Sequence, residues 1–176
     1  MEIINLGKKK SIFNNFIREI RDVNIQNDSM RFRRNIERIG EIFAYEISKK
    51  MDYEEKEVNT PLGVSIENII REKPVLATIL RAGLPLHQGL LNYFDSSNNC
   101  FISAYRKHKE GGDFEIKIEY MASPELEGET VILCDPMLAS GNSMALAMEA
   151  LLSKGTPKYI HIVALISSSQ GIQYLK

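Results

Sequence analysis

An α/β fold built on a mostly parallel central sheet is predicted by three features of the sequence. Continuous apolar runs at residues 75–80 and 131–134 have turns on both sides, as strands covered on both faces would. Each run ends in a charged residue and a glycine-bearing turn, Arg81-Ala82-Gly83 in one case and Asp135 through Gly141 in the other, and a helical pattern follows each turn. A third apolar run, residues 159–166, reads as another buried strand after the second of those helices.

The remaining elements follow in chain order. Ile12, Phe13, Phe16, Ile17, Ile20 and Val23 recur at spacings of three and four, which predicts an amphipathic helix over 11–23. After a polar break, Phe32, Ile36, Ile39, Phe43, Ile47 and Met51 form a long stripe and predict a second helix from Ser29. The charged residues around it, Arg31, Arg33, Arg34, Glu37, Arg38 and Glu41, read as a solvated or subunit-contact face rather than an RNA groove. Residues 57–64, broken by Thr60-Pro61-Leu62-Gly63, predict a short hairpin outside the main sheet. A helix over 84–93 follows the first apolar strand. Residues 100–105 predict a third strand, the polar run 107–113 a charged tip, and alternating Phe114, Ile116, Ile118 and Tyr120 the returning arm of a hairpin. Met144, Leu146, Ala147, Ala150, Leu151 and Leu152 predict a core-packed helix from about Ser143, stopped by Gly155 and Pro157.

Composition bounds the function. At 176 residues one domain with a sizeable core is expected. Lys and Arg number 22 against 23 Asp and Glu, which removes the global electrostatic argument for a nucleic-acid binder. No run of about 18 apolar residues marks a membrane span, and Lys8-Lys9-Lys10 leads into an amphipathic segment rather than a signal-peptide core, so the chain reads as cytoplasmic. Cys100 and Cys134 lack metal spacing and read as buried free thiols, and His87, His108 and His161 receive no catalytic role.

The chemistry concentrates at two strand ends. Asp135 falls at a strand's carboxyl edge, where open α/β sheets bind ligands, and Ala139, Ser140, Gly141, Asn142 and Ser143 are small enough for backbone amides to close on a phosphate. The helix that follows adds its N-terminal dipole to the same spot. The competing reading is an ordinary strand-to-helix connection in which Ser143 is only an N-cap. Arg81, likewise, is either a surface arginine or a diphosphate donor.

Residue order adds a resemblance. Asp135-Pro136-Met137-Leu138-Ala139-Ser140-Gly141-Asn142-Ser143 resembles the phosphoribosyl-pyrophosphate loop of uracil phosphoribosyltransferases, Asp-Pro-Met-Leu-Ala-Thr-Gly-Gly-Ser, at seven of nine positions. Ser140 keeps the hydroxyl of Thr, and Asn142 replaces glycine with the next most tolerant residue for positive φ. Leu80-Arg81-Ala82-Gly83-Leu84 reproduces the family's pyrophosphate loop, Tyr105-Arg106 its flap opening, and Met30-Arg31-Phe32-Arg33 with Tyr45-Glu46 its second helix, whereas Pro85 and His87 depart from the usual residues. The family's further segment, with its uracil-reading Tyr-Ile-Val-Pro-Gly-Leu-Gly-Asp-Ala-Gly motif, does not occur in this sequence, which suggests that residues 1–176 are one domain lacking C-terminal residues.

The resemblance implies a type I phosphoribosyltransferase fold with N-terminal helices and a β-hairpin flap. It implies conversion of uracil and 5-phosphoribosyl 1-pyrophosphate to UMP and diphosphate, with Mg²⁺ carried by the substrate. Asp135, Arg106 and Arg81 would be catalytic; Ala82, Gly83 and residues 136–143 would join them in binding phosphoribosyl pyrophosphate. It further implies a dimer-based homo-oligomer and a GTP effector. A phosphoribosyltransferase-fold regulator binding nucleotide and RNA, or a transferase for another base, remain the alternative readings.

Overall fold

The computed structural model describes residues 1–108 and 114–176, without the side chains of 105–108 and 114–117. A 3-10 turn at Leu6–Lys8 leads into helix α1 (Ile12–Arg21), and α2 (Ser29–Ser48) packs back against it. Asp28 caps α2 by accepting from the amides of Met30 and Arg31 at 3.1 and 3.0 Å. The helix pair is closed by buried Phe13, Ile20 and Ile39, by an edge-on Phe13–Phe43 contact with centroids 5.7 Å apart, and by Asn35, whose Nδ2 donates to Glu19 at 2.7 Å.

Strands β1 (Tyr53–Thr60) and β2 (Gly63–Ile70) form the expected hairpin, longer than the sequence suggested but turning at the same place, with Gly63 at φ +135°. It forms a two-stranded sheet of its own. The main sheet has the order β5-β4-β3-β6-β8, built from β3 (Val75–Leu80), β4 (Asn99–His108), β5 (Phe114–Ala122), β6 (Thr130–Cys134) and β8 (Tyr159–Val163). β4, β3, β6 and β8 are parallel and β5 is antiparallel to β4. Helix α3 (Leu84–Leu91) follows β3; a two-residue strand β7 (Met137–Leu138) and helix α4 (Asn142–Leu152) follow β6. The chain closes with β9 (Ile166–Ser167) and α5 (Ser169–Tyr174).

Strand alternation explains why both faces are apolar. Val75, Ala77, Ile79, Val131 and Leu133 share one core with Met144, Ala147 and Leu151 of α4. Leu76, Ile132 and Cys134 point the other way and pack with Ile36 and Ala44 of α2 and Leu86 and Leu90 of α3. Cys100 and Cys134 are buried free thiols. Pro85 falls in the first turn of α3, where its missing N–H leaves no bond unmade, and His87 is buried against the Phe101 ring at 5.2 Å. Among the described residues no helix is long and apolar enough to cross a membrane.

Two expectations are corrected here. The last strand is not a buried run over 159–166: Tyr159 is exposed, β8 is a half-buried outer strand of the described sheet, and it stops at Val163. The Asp135 amide donates to the Val163 carbonyl at 3.1 Å, but it is then the Pro136 carbonyl that accepts from both Leu165 and Ile166, an irregularity that interrupts the ladder until β7 pairs with β9. The second correction is that Ser143 is not the cap of α4. Gly141, at φ +94°, takes that position, and Asn142 is the first helical residue, so its tolerance of positive φ is not needed.

Helices α2 and α3 cross with glycine on both sides. A Cβ on Gly89 would collide with the Glu37 carbonyl oxygen and sit 2.9 Å from the Glu37 carbonyl carbon and the Glu41 nitrogen, all backbone atoms with no rotamer to move. Gly89→Ala is therefore expected to destabilise the protein by about 1–3 kcal/mol through overpacking, measured by urea unfolding. A change within about 0.5 kcal/mol, typical of unconstrained surface sites, would mean the helices are less closely apposed.

Candidate active site

β3 and β6 pair in parallel, with Thr78 opposite Cys134 at the end of their register, so both carboxyl ends open on one side of the sheet. The residues just beyond them, Arg81 with Ala82 and Asp135 with Pro136, line a single cavity of about 910 Å³. Met137, Leu138, Ala139, Ser140, Gly141 and Ser143 continue the wall from β7 into α4. The two strand ends chosen from sequence thus meet at one site.

Gly83 lies beneath the cavity rather than on its wall. The Thr78 hydroxyl donates to the Cys134 carbonyl at 3.4 Å, and Gly83 closes over that pair. A Cβ at Gly83 would run into Thr78 Oγ1 and stand 2.7 Å from the Ile79 carbonyl oxygen, so only glycine lets the Arg81-Ala82 turn come this close to β6. Asn142 is also off the wall, exposed at the start of α4. Arg106 belongs to β4, its backbone opposite Ile116, but its side chain and the hairpin tip at 109–113 lie outside the described residues.

The loop after β6 is held from behind. The amides of Leu165 and Ile166 both donate to the Pro136 carbonyl, at 3.1 and 3.2 Å, and the Ser168 amide donates to the Leu138 carbonyl at 2.8 Å. Gly171 packs against Ala139 and Leu138, and the Tyr174 ring covers Gly141, where a Cβ would lie 2.7 Å from the ring. The free side of the loop faces the cavity.

Desolvation sets the acid–base character. Burial pushes the Asp135 carboxyl up to about 6, and the Cys134 thiol beneath it up to about 12, so the thiol is neutral and unreactive at neutral pH. Asp135 remains largely ionised at pH 7, a form able to accept hydrogen bonds from a polyol, and the Arg81 guanidinium is a donor able to bind an anion.

The opposite wall was not legible as a site. Arg21, Gln26 and Arg33 line the cavity from α1, the turn after it and α2, together with Ile20, Phe32 and Ile36. Arg31 and Arg34 of the same basic stretch pair with Glu19 at 3.3 Å and Glu37 at 2.6 Å, and Arg38 stacks 5.4 Å over the Phe16 ring. The expected solvated or subunit-contact face is thus divided between intramolecular pairs and the cavity. No spacing rule separates Arg33 from its neighbours before the helices are docked.

The family model for uracil phosphoribosyltransferase matches residues 8–176. The chain belongs to that family. A curated uracil phosphoribosyltransferase from Porphyromonas gingivalis is 56% identical over 176 residues, spanning all of this chain and 82% of its own length. One from Sulfolobus acidocaldarius is 35% identical over 175 residues, covering 94% of this chain and 80% of itself. Among solved structures, the AQ2163 protein from Aquifex aeolicus superposes with a TM-score of 0.81 at 28% identity, over 95% of this chain and 78% of that one. A purine phosphoribosyltransferase from Pyrococcus horikoshii shares the fold at a TM-score of 0.56 and 17% identity, covering 77% of this chain and 74% of its own.

The raised Asp135 pKa has a definite sign in stability. Between the ordinary carboxylate value of 3.8 and about 6 the native state holds a proton that the unfolded chain has released, so this group's contribution falls as pH rises through that window and is level on either side. The difference in unfolding free energy between the protein and Asp135→Asn, followed against pH, should change across that window and flatten outside it. A difference independent of pH from 3 to 7 would show that the carboxyl titrates normally.

Proposed function

We propose that the protein transfers the ribosyl 5′-phosphate group of 5-phosphoribosyl 1-pyrophosphate to a ring nitrogen of uracil, giving UMP and diphosphate. The observation that carries this reading is the meeting of Arg81, Asp135 and the small residues Ala139, Ser140, Gly141 and Ser143 on one cavity, in a chain of the uracil phosphoribosyltransferase family. Mg²⁺ brought by the substrate would supply charge neutralisation at the diphosphate.

Each part of the substrate has a partner of matching chemistry. The 5′-phosphate lies against the amides of the 139–143 loop, the Ser140 and Ser143 hydroxyls and the N-terminus of α4. The Asp135 carboxylate accepts from the ribose hydroxyls and favours the positive charge that builds on the sugar ring as the glycosidic carbon loses diphosphate. Arg81, on the turn completed by Ala82 and Gly83, donates to the leaving diphosphate, joined by Arg106 from the β4–β5 hairpin. Closure of that hairpin excludes the water that would hydrolyse the sugar diphosphate. With positioning and charge complementarity as the source of catalysis, no side-chain nucleophile is required.

The same reading places the enzyme in the cytoplasm as a dimer-based homo-oligomer with GTP as effector. Its support for association is the hairpin's apolar surface, where Leu62, Val64 and Ile66 are all exposed. Residues 1–176 act in it as one catalytic domain.

The test is product formation from Mg²⁺-phosphoribosyl pyrophosphate with uracil, adenine, guanine, hypoxanthine and orotate in parallel. UMP from uracil alone is expected, and no turnover of uracil, or preference for another base, overturns the reading. Asp135→Asn is expected to lower kcat by about 100-fold, the scale of losing one preorganised electrostatic partner. Its unfolding midpoint at pH 7 should be no lower, since a buried charge is removed; unchanged turnover would remove Asp135 from the catalytic group.

A further inference from the structure

We infer that Ser168, at the start of α5, is a positioning residue for the phosphate loop, acting through the Ala139 and Leu138 carbonyls; the inference rests on the role proposed for that loop. Ser168 engages the loop twice. Its amide donates to the Leu138 carbonyl at 2.8 Å, and its hydroxyl donates to the Ala139 carbonyl. The same oxygen accepts from the Gly171 amide at 2.9 Å, which leaves its hydrogen for the Ala139 carbonyl.

Peptide geometry turns these bonds into a statement about the opposite side of the loop. In a trans peptide the carbonyl and the next N–H lie in one plane and point in opposite directions. Fixing the Leu138 carbonyl toward Ser168 therefore aims the Ala139 N–H away from α5, and fixing the Ala139 carbonyl does the same for the Ser140 N–H. Neither amide donates to a backbone carbonyl among the described residues, and both residues are on the cavity wall. One serine thus orients two consecutive donors toward the place where an anion would be held. The loop cannot do this for itself: Ala139 and Ser140 are exposed, lie outside any helix or strand ladder and carry small side chains.

The second contact supports the first. Gly171 is buried against the Ala139 carbonyl oxygen, which a Cβ there would approach to 2.5 Å, so α5 sits flush on the loop and leaves the Ala139 carbonyl no other direction. The Ser168 hydroxyl fills the one polar role at that seam.

The experiment compares the full-length protein with Ser168→Ala and Ser168→Thr. Ser168→Ala keeps the amide bond to Leu138 and loses the hydroxyl; Ser168→Thr keeps both. Ser168→Ala is expected to lower kcat/KM for phosphoribosyl pyrophosphate at least tenfold, with the change mainly in the KM for that substrate. The KM for uracil should stay within twofold, and Ser168→Thr should restore most of the loss. Loss of fold alone would lower the active fraction and leave both KM values unmoved, so equal KM values in Ser168→Ala and the parent protein overturn the inference, as does a tenfold loss that Ser168→Thr shares. The dissociation constant of Mg²⁺-phosphoribosyl pyrophosphate, measured by titration calorimetry without uracil, separates this inference from the proposed reaction. A parent protein that binds it but forms no UMP refutes the reaction, and a tenfold weakening in Ser168→Ala then upholds the role of Ser168. Equal affinities, or no binding by the parent, refute that role.

Discussion

The parallel pairing of β3 with β6 is the constraint on which the rest of the site depends. Because the two strands run the same way and their register ends at Thr78 opposite Cys134, with β3 continuing only to Leu80, whatever follows them emerges at one edge of the sheet. That places a guanidinium and a carboxylate on the wall of one cavity. The pairing in turn depends on burial from both sides, with alternate residues of each strand committed to the α4 core or to the α2–α3 core. A one-residue slip would exchange the two sets and move both strand ends relative to each other.

The Pro136 carbonyl marks where this edge becomes a loop. Past the bond from the Asp135 amide to Val163 the regular β6–β8 pairing stops, and the Pro136 carbonyl accepts from two amides of the returning segment. The chain between Asp135 and Gly141 is therefore bonded on its far side and open on its near side. Desolvation acts on both neighbours here: Cys134 faces the core and its thiol is pushed up to about 12, whereas Asp135 faces the cavity and is pushed up to about 6. The carboxyl, raised as it is, still stays mostly ionised at neutral pH.

Much of this was legible in the sequence because the elements concerned are signalled locally. β3 and β6 announce themselves as continuous apolar runs, α2 as a long stripe, the hairpin turn as Thr-Pro-Leu-Gly, and the two turns beyond the strands by their glycine and charged residues. What was not legible arises from tertiary pairing. β7 and β9 are two residues each and exist only because they meet. The outer position of β8 depends on what lies beside it, which an apolar run does not disclose. Arg33 differs from Arg31 and Arg34 only in which way α2 turns it once α1 and the sheet are in place, and Gly83 owes its importance to Thr78 and the Cys134 carbonyl, the latter more than fifty positions away.

The β1–β2 hairpin is organised differently from everything around it. Every residue of β1 is exposed, and the apolar Val58, Val64 and Ile66 lie open to solvent, while Ile70 at its base is packed against the α2–α3 core. A two-stranded ribbon with so little buried surface has marginal stability of its own. In an isolated protomer such a ribbon is expected to open locally, its amides exchanging before those of β3 and β6, and cover of its apolar face by a partner copy would suppress that exchange.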